Sequence, residues 1–219
     1  MIEKIETMMK IRENGIIAVI RSIPEEKVSD LADVLISSGI KALEITVENK
    51  NALSIIEYLS NKYDDQIIIG AGTVLDSTSA KLAISKGADF ILSPNLNTEV
   101  VKTTLRYGKV SIPGVMTPTE MLHAIENGAD MVKVFPASVL GTNFIKDVKG
   151  PFPHIPIIPT GGINLDNVKS FIEAGSEAVG IGGSLINKDA INRADFDSIK
   201  EIASQYVQEV KKARISLDK

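Results

Sequence analysis

Eight short runs of mostly apolar, often β-branched residues recur along the chain, separated by longer amphipathic stretches. Their centres recur roughly every 20–26 residues, the length of one strand, one helix and two loops. Short strands that alternate with helical patterns predict βα units and a parallel sheet. The runs are IIAVI (16–20), ALEIT (42–46), IIIGAG (67–72), FILSP (90–94), VSIPG (110–114), MVKVFP (131–136), IPIIPTGG (155–162) and AVGIGG (178–183).

The stretches between the runs have the periodicity of amphipathic helices. Residues 25–38 place apolar side chains on one helix face, and residues 118–127 repeat the pattern. Thr117 precedes the second of these helices and Glu120 follows three residues later, which predicts a capping box. Asp76 is predicted to cap the helix that follows the third run.

A weak internal repeat supports one repeated supersecondary unit. In each copy a helix ends at a Gly, where a positive φ is often needed, and an apolar strand then begins. The copies are SSGIKALEI (37–45), SKGADFILS (85–93), ENGADMVKV (126–134) and EAGSEAVGI (173–181).

Eight βα units in 219 residues predict an α/β protein that folds as a (β/α)₈ TIM barrel. No linker or shift in composition divides the chain, so we expect a single domain over residues 1–219. We expect its first helix over about 3–13 and its last over about 196–214. The alternative is a doubly wound open sheet. That fold more often carries a G-x-G-x-x-G turn after its first strand, which IIAVIRSIPEE lacks.

Composition excludes several kinds of site. The chain has no Cys and only two His, so thiolate zinc sites, iron–sulfur clusters and a Cys nucleophile are excluded, and we expect no metal site. The formal charge of −4 gives no reason to expect nucleic acid as a partner. No apolar run is as long as a membrane span, and the start MIEKIETMMKIRENG is unlike a signal peptide. We therefore expect no membrane partner and a cytoplasmic location.

Two charged residues interrupt strands that should be apolar on both faces. Lys133 lies in MVKVF and Glu44 in ALEIT, and a buried charge is costly unless it is paired or functional. A desolvated lysine loses its proton readily, and the neutral amine can form a Schiff base with a carbonyl. Glu44 can serve in proton transfer at that carbon or form a buried salt bridge, with Lys133 as a candidate partner.

The carboxyl ends of other runs carry candidate anion-binding groups. Arg21 follows the first run directly, and Thr73 ends GAGT after the third. PTGGIN (159–164) and GIGGSLI (180–186) each place two glycines at the end of a strand. In TIM barrels the loops after the last two strands frequently bind phosphate, because backbone N–H groups can approach its oxygens there.

With these residues in place, the sequence resembles the 2-keto-3-deoxy-6-phosphogluconate (KDPG) and 4-hydroxy-2-oxoglutarate (KHG) aldolase family over roughly residues 10–200. These are Schiff-base (class I) aldolases on a TIM barrel. The strings that carry the resemblance are LEIT, GAGT, SPN (93–95), IPGVMTPTE (112–120), KVFPAS, PTGGI and GGSL.

The resemblance implies a role for each matching residue. Lys133 would be the Schiff-base lysine and Glu44 the general acid/base, acting through a bound water. Thr73 would help hold the pyruvoyl carboxylate, with Pro94 and Phe135 shaping the pocket. The residues that would line the substrate and its phosphate are Thr160, Gly161, Gly162, Gly182, Gly183 and Ser184.

The chain departs from the family pattern at one position. Many members carry E-x-T-x-R, but here Glu48 stands where the Arg would be. Other members place an Arg at the end of the first strand, which Arg21 matches, so the resemblance assigns carboxylate recognition to Arg21. Glu48 would make the local field less favourable to an anion, and this leaves open which sugar epimer is preferred.

The implied reaction is cleavage of a 2-keto-3-deoxy-6-phospho-aldonate to pyruvate and glyceraldehyde 3-phosphate. It needs no cofactor, and family members are commonly homotrimers. KHG cleavage to pyruvate and glyoxylate and a preference for the phosphogalactonate epimer stay open. Two further alternatives are a phosphate-binding isomerase or synthase and a non-catalytic sugar-phosphate binding protein. Neither explains why a lysine and a glutamate both interrupt apolar strands.

Overall fold

A computed structural model describes residues 2–217, so residues 1, 218 and 219 of the expected domain lie outside the described residues. The strands are β1 (Ile16–Ile20), β2 (Ala42–Thr46), β3 (Ile68–Gly72), β4 (Phe90–Leu92), β5 (Val110–Ile112), β6 (Gly114–Val115), β7 (Val132–Val134), β8 (Ile157–Pro159) and β9 (Val179–Ile181). The helices are α1 (Ile2–Asn14), α2 (Glu25–Ser37), α3 (Ala52–Tyr63), α4 (Ser77–Ser85), α5 (Thr98–Arg106), α6 (Pro118–Glu126), α7 (Ala137–Lys149), α8 (Val168–Glu173), α9 (Lys188–Asn192) and α10 (Phe196–Leu217).

The strands form a ring in which every pairing is parallel. One sheet has the order β5-β4-β3-β2-β1-β9 and the other the order β6-β7-β8. The chain passes from the first sheet to the second between β5 and β6. A parallel bridge between Thr160 and Gly180 joins the other two edges. This is the predicted TIM barrel, a single domain, and the open-sheet alternative is wrong.

The fifth predicted run differs from the others because it supplies strands to both sheets. Pro113 separates β5 from β6, and its ring leaves no N–H to continue a ladder. Its carbonyl still accepts a hydrogen bond of 2.8 Å from the Lys133 N–H, so the strand that bears the lysine is paired at the junction. The eight runs therefore give nine strands over residues 2–217.

Two layers of apolar side chains hold the barrel together. Alternate residues of a strand point to opposite faces, so the same strand can contribute to both layers, as β1, β2, β3, β4 and β8 do. The larger cluster lies between the strands and the helices and includes Leu31, Leu35 and Leu59. The smaller one fills the barrel interior, and its buried members are Ile11, Ile17, Ala42, Ile68, Phe90, Leu92, Val110, Ile112, Met131, Ile158 and Ala178.

The predicted helix ends are confirmed. Thr117 Oγ1 accepts a hydrogen bond of 3.2 Å from the Glu120 N–H, and the Glu120 carboxylate accepts one of 2.9 Å from the Thr117 N–H, so the capping box is complete. Asp76 accepts from the Ser79 N–H and caps α4. The four repeat glycines all have positive φ, as a C-terminal glycine requires: Gly39 (97°), Gly87 (100°), Gly128 (92°) and Gly175 (104°).

Within residues 2–217, no helix is long and apolar enough to cross a membrane.

Candidate active site

Strand alternation directs three polar side chains into the barrel. Ala42, Met131 and Ile158 belong to the interior cluster. Two residues further along the chain stand Glu44, Lys133 and Thr160, which therefore face the interior nearer its carboxyl end. All three are at least nine-tenths buried. The catalytic end of a TIM barrel is this carboxyl end.

Lys133 lies on the central strand of the three-stranded sheet and is 4% exposed. Its neighbours in register are Gly114 and Ile158, so no charged side chain stands beside it on either adjacent strand. Its Nζ lies 5.2 Å from the centre of the Phe135 ring. Over residues 2–217 no carboxylate oxygen lies within 4.0 Å of this amine, so its charge is not compensated by an ion pair.

Glu44 is 1% exposed, and its Oε1 has no hydrogen-bond partner among the described residues. A Cβ on Gly72 would lie 1.8 Å from this oxygen, so the glycine makes room for the carboxylate. The buried salt bridge between Glu44 and Lys133, one of the two interpretations of the sequence, is wrong for residues 2–217 as described. A buried carboxylate oxygen without a donor is costly, and a catalytic role is one explanation for keeping it.

Arg21 reaches two neighbouring loops. Its Nη2 donates to Thr73 Oγ1 at 3.2 Å, and its Nε lies 3.3 Å from Glu48 Oε1. Thr73 has φ of +59°, which a β-branched residue adopts only under strain. Glu48 therefore acts on Arg21 directly, and the acidic residue at the departure from the family pattern is half of an ion pair.

A cavity of about 440 Å³ opens at this end of the barrel. Nine of the twelve residues singled out from the sequence line it: Arg21, Lys133, Phe135, Thr160, Gly161, Gly162, Gly182, Gly183 and Ser184. Glu44, Thr73 and Pro94 are not in its lining. Thr73 adjoins the cavity through Arg21. Pro94 lies against Gly114, because a Cβ there would be 2.4 Å from the Pro94 carbonyl oxygen.

The two glycine pairs present unpaired backbone donors. Gly161 and Gly162 have φ of 93° and 78°, which only glycine adopts readily. For the chain between residues 2 and 217, the N–H groups of Gly162, Gly183 and Ser184 donate to no protein acceptor. Free N–H groups from two adjacent loops are the arrangement that suits a phosphate.

Ser184 joins the two loops. Its hydroxyl donates to the Ile163 carbonyl at 2.6 Å, so only its backbone N–H is left as a donor to the cavity. Behind it stands Tyr206 of α10, which is 1% exposed. Burial raises the pKa of the Tyr206 phenol above its ordinary value of 10.0, although its hydrogen bond with Ser184 lowers that pKa.

Sequence reasoning missed several residues of the lining. The apolar ones, among them Val19, Ile23 and Ile186, look like ordinary core positions in the sequence. Asn164 and Lys188 are polar and follow β8 and β9. The signal for Lys188 was its place just after a second glycine-ended strand, with Asn187 before it as a helix cap. No group of three or more potential metal ligands from His, Cys, Asp or Glu occurs in the part of the chain described.

A known protein family matches most of the chain. The family model described as KDPG and KHG aldolase matches residues 5–202. The chain belongs to the KDPG and KHG aldolase family. As a member it is an aldolase, and its barrel places the family strings KVFPAS, PTGGI and GGSL around one cavity.

Relatives within the family cover most of the chain. The 2-dehydro-3-deoxy-phosphogluconate aldolase of Haemophilus influenzae is 35% identical over 92% of this chain and 95% of its own length. The 2-dehydro-3-deoxy-6-phosphogalactonate aldolase of Escherichia coli K12 is 32% identical over 78% and 83%. The KDPG aldolase of Legionella pneumophila, solved with pyruvate captured at low pH as a covalent carbinolamine intermediate, is 29% identical with a TM-score of 0.85. That match covers 90% of this chain and 96% of the other.

Proposed function

We propose that this aldolase cleaves a 2-keto-3-deoxy-6-phospho-aldonate to pyruvate and glyceraldehyde 3-phosphate through a Schiff base on Lys133. The observation that carries the proposal is a buried lysine that lines a cavity and has no carboxylate within 4.0 Å over residues 2–217. A lysine amine at the wall of a cavity, with no carboxylate partner among the described residues, is placed to attack the carbonyl of a bound substrate.

The first half of the reaction forms the covalent intermediate. The lone pair of Lys133 Nζ attacks the C2 ketone and the carbonyl oxygen takes a proton, which gives a carbinolamine. Loss of that hydroxyl as water leaves an iminium ion, which accepts electrons from the C3–C4 bond when it breaks.

The second half of the reaction cleaves the C3–C4 bond. A base removes the proton of the C4 hydroxyl, C4 becomes the aldehyde of glyceraldehyde 3-phosphate, and the bond electrons form an enamine. Protonation at C3 and hydrolysis of the iminium by water release pyruvate and restore the amine. Glu44 is the proposed acid/base, directly or through a water, because its Oε1 is buried and lacks a donor among the described residues.

Two kinds of group would bind the charged ends of the substrate. Arg21 is the proposed partner of the carboxylate, since its planar guanidinium matches that geometry and it lines the cavity. Thr73, Pro94 and Phe135 would shape this part of the site. The phosphate would accept hydrogen bonds from the free N–H groups of the two glycine loops, with Thr160 below them. Holding both ends aligns the scissile bond with the lysine.

The phosphogalactonate epimer is the second candidate substrate. The match to the E. coli phosphogalactonate aldolase favours it, and Glu48 in place of the more common arginine leaves the preferred epimer open. KHG is a third candidate, since it shares the pyruvoyl half of the other substrates, although it lacks their phosphate. We further propose that the enzyme needs no metal or cofactor, because the iminium supplies the electron sink, and that it works as a cytoplasmic homotrimer.

A turnover assay tests the proposal. Pyruvate release is followed with the phosphogluconate, phosphogalactonate and hydroxyoxoglutarate substrates for the wild type, Lys133→Met and Lys81→Met. Lys81 is exposed on α4 and lies outside the cavity, so its variant is the matched control. We expect Lys133→Met to lose turnover on every substrate, since covalent catalysis is removed, and Lys81→Met to keep it. EDTA should leave the rates unchanged.

Turnover by a folded Lys133→Met protein, checked by circular dichroism and urea unfolding, would contradict the proposal. So would failure of the wild type on all three substrates.

A further inference from the structure

We propose that Lys188 is a specificity-determining residue that binds the phosphate group of the substrate. This inference rests on the proposed function and names the charged partner of the phosphate, which the sequence did not predict. Lys188 begins α9 and lines the same cavity as Lys133 and the two glycine loops.

Three cationic side chains line the cavity, as far as residues 2–217 describe it: Arg21, Lys133 and Lys188. Arg21 already contacts Glu48 and Thr73, and Lys133 is buried on its strand. Lys188 is exposed, and among the described residues no carboxylate lies within 4.0 Å of its amine. It is therefore the cation that is available for a second anionic group.

The turn that carries Lys188 is held on both sides. The Gly182 carbonyl accepts hydrogen bonds of 2.9 Å from the N–H groups of Leu185 and Ile186. After the turn, the Asn187 side chain accepts from the N–H groups of residues 189 and 190. The Lys188 backbone is thus fixed a few residues after the free N–H groups of Gly183 and Ser184, and its long side chain can reach the same anion.

The phosphate needs more than the loops provide. Peptide N–H groups are dipoles, whereas a phosphate monoester carries about −1.5 to −2 charges at neutral pH. A lysine at the mouth of the cavity adds a full positive charge. Its flexible side chain can keep contact with the phosphate as the substrate binds and as the product is released. Because the phosphate is remote from the bond that breaks, and the glycine loops still align the substrate without Lys188, this contact is made equally in the ground and transition states. It therefore changes KM and not kcat.

The kinetic test compares Lys188→Met, Lys188→Arg and the Lys81→Met control with 2-keto-3-deoxy-6-phosphogluconate. We expect Lys188→Met to raise KM about tenfold with kcat unchanged, the scale of one charge-assisted hydrogen bond. Lys188→Arg should restore most of the affinity. The wild-type KM should rise with salt, and less steeply in Lys188→Met, because one screened charge pair is gone.

Two further measurements separate the phosphate from the rest of the site. Deuterium exchange at the methyl group of pyruvate depends on the Schiff base at Lys133 and involves no phosphate. Lys188→Met should therefore catalyse this exchange at the wild-type rate. Glycerol 3-phosphate, a phosphate monoester without a ketone, should bind Lys188→Met about tenfold more weakly by titration calorimetry. An equal loss with pyruvate and phosphorylated ligands, or no loss with either, would overturn the inference.

The glycerol 3-phosphate titration also distinguishes this inference from the proposed function. Lys188-dependent binding without any aldol cleavage would mean that only the proposed function fails. Normal cleavage with a KM that is the same in Lys188→Met and wild type would mean that only the inference fails.

Discussion

Gly72 and Glu44 stand on adjacent strands, and the missing side chain at Gly72 leaves space for the carboxylate at Glu44. An added Cβ would lie 1.8 Å from Glu44 Oε1, 2.4 Å from its Cδ and 2.5 Å from its Cγ, so the whole end of the side chain would have to move. The position of the proposed acid/base is thus set by a residue that touches no substrate.

Gly72→Ala tests the role of Glu44 without altering Glu44 itself. We expect kcat to fall about 10²-fold, the lower range for loss of a positioned acid/base, while the fold is kept at a cost of about 1–3 kcal/mol for overpacking. The measurement is steady-state kinetics with urea unfolding as the check on stability. Gly150→Ala is the control, since Gly150 has φ of −58° and lies outside the cavity.

The double variant Gly72→Ala with Glu44→Gln makes the test sharper. If both changes act through the same carboxylate, the pair should lose no more than Glu44→Gln alone. Losses that multiply, or a Gly72→Ala enzyme with wild-type kcat, would show that Glu44 is not the group that the glycine positions.

Single residues were predictable where a strand pattern was broken. A charge inside an apolar strand is visible in a single sequence, and this is why Lys133 and Glu44 could be predicted as site residues. Lys188 was missed because it sits in a turn with no periodicity, where an exposed lysine is ordinary. The Arg21–Glu48 pair was missed for a related reason, since it joins two loops whose contact depends on the closed barrel.

Among the elements, α6 has the most complete cap. Its Glu120 carboxylate accepts hydrogen bonds from the N–H groups of Met116 at 2.8 Å and Thr117 at 2.9 Å. The Met116 N–H lowers the pKa of Glu120 from its ordinary value of 4.5 most strongly, and the Thr117 groups add to the effect. The ionised carboxylate therefore stabilises the start of the helix that leads on to β7.

This cap predicts a pH dependence of stability. Because the pKa of Glu120 is lower in the folded than in the unfolded state, the unfolded chain takes up the proton first. Its contribution is present above pH 4.5 and is lost as the pH falls through the folded pKa. Glu120→Gln should lower the free energy of unfolding by about 1 kcal/mol at neutral pH. In acid, the free energy of unfolding of this variant should decrease less steeply with falling pH than that of the wild type.

Urea unfolding between about pH 3 and pH 7 measures the effect. The matched control is Glu126→Gln. It removes a carboxylate that lies on the same helix but takes no part in the cap. If Glu120→Gln leaves the acid limb as steep as in the wild type, the cap does not carry this part of the stability.

The cap and the repeated glycines are also the element features that the sequence predicted best, since both are local. Thr117 and Glu120 need only each other, and a positive φ at Gly39 or Gly175 follows from how a helix ends. Strand lengths were predicted less well. The seventh run spans 155–162, and β8 covers only Ile157–Pro159 of it, because the glycines after it form the cavity loop.

The ring of strands must close for the site to exist. Closure joins Thr160 to Gly180, and a Cβ at Gly180 would lie 2.3 Å from Thr160 Oγ1, so the glycine permits the approach of the two sheets. The sequence indicated a barrel from its count of βα units. It could not reveal that one run would be divided at Pro113 between two sheets, because that depends on which strands become neighbours after folding.

Trapping the Schiff base with pyruvate tests the covalent role proposed for Lys133. The full-length enzyme is incubated with pyruvate and borohydride, digested, and its lysine peptides are compared by mass spectrometry. Reduction fixes the iminium as a stable secondary amine, so we expect one adduct, on Lys133, that is absent from Lys133→Met and present in Lys81→Met. No adduct, or an adduct on another lysine, would contradict this role.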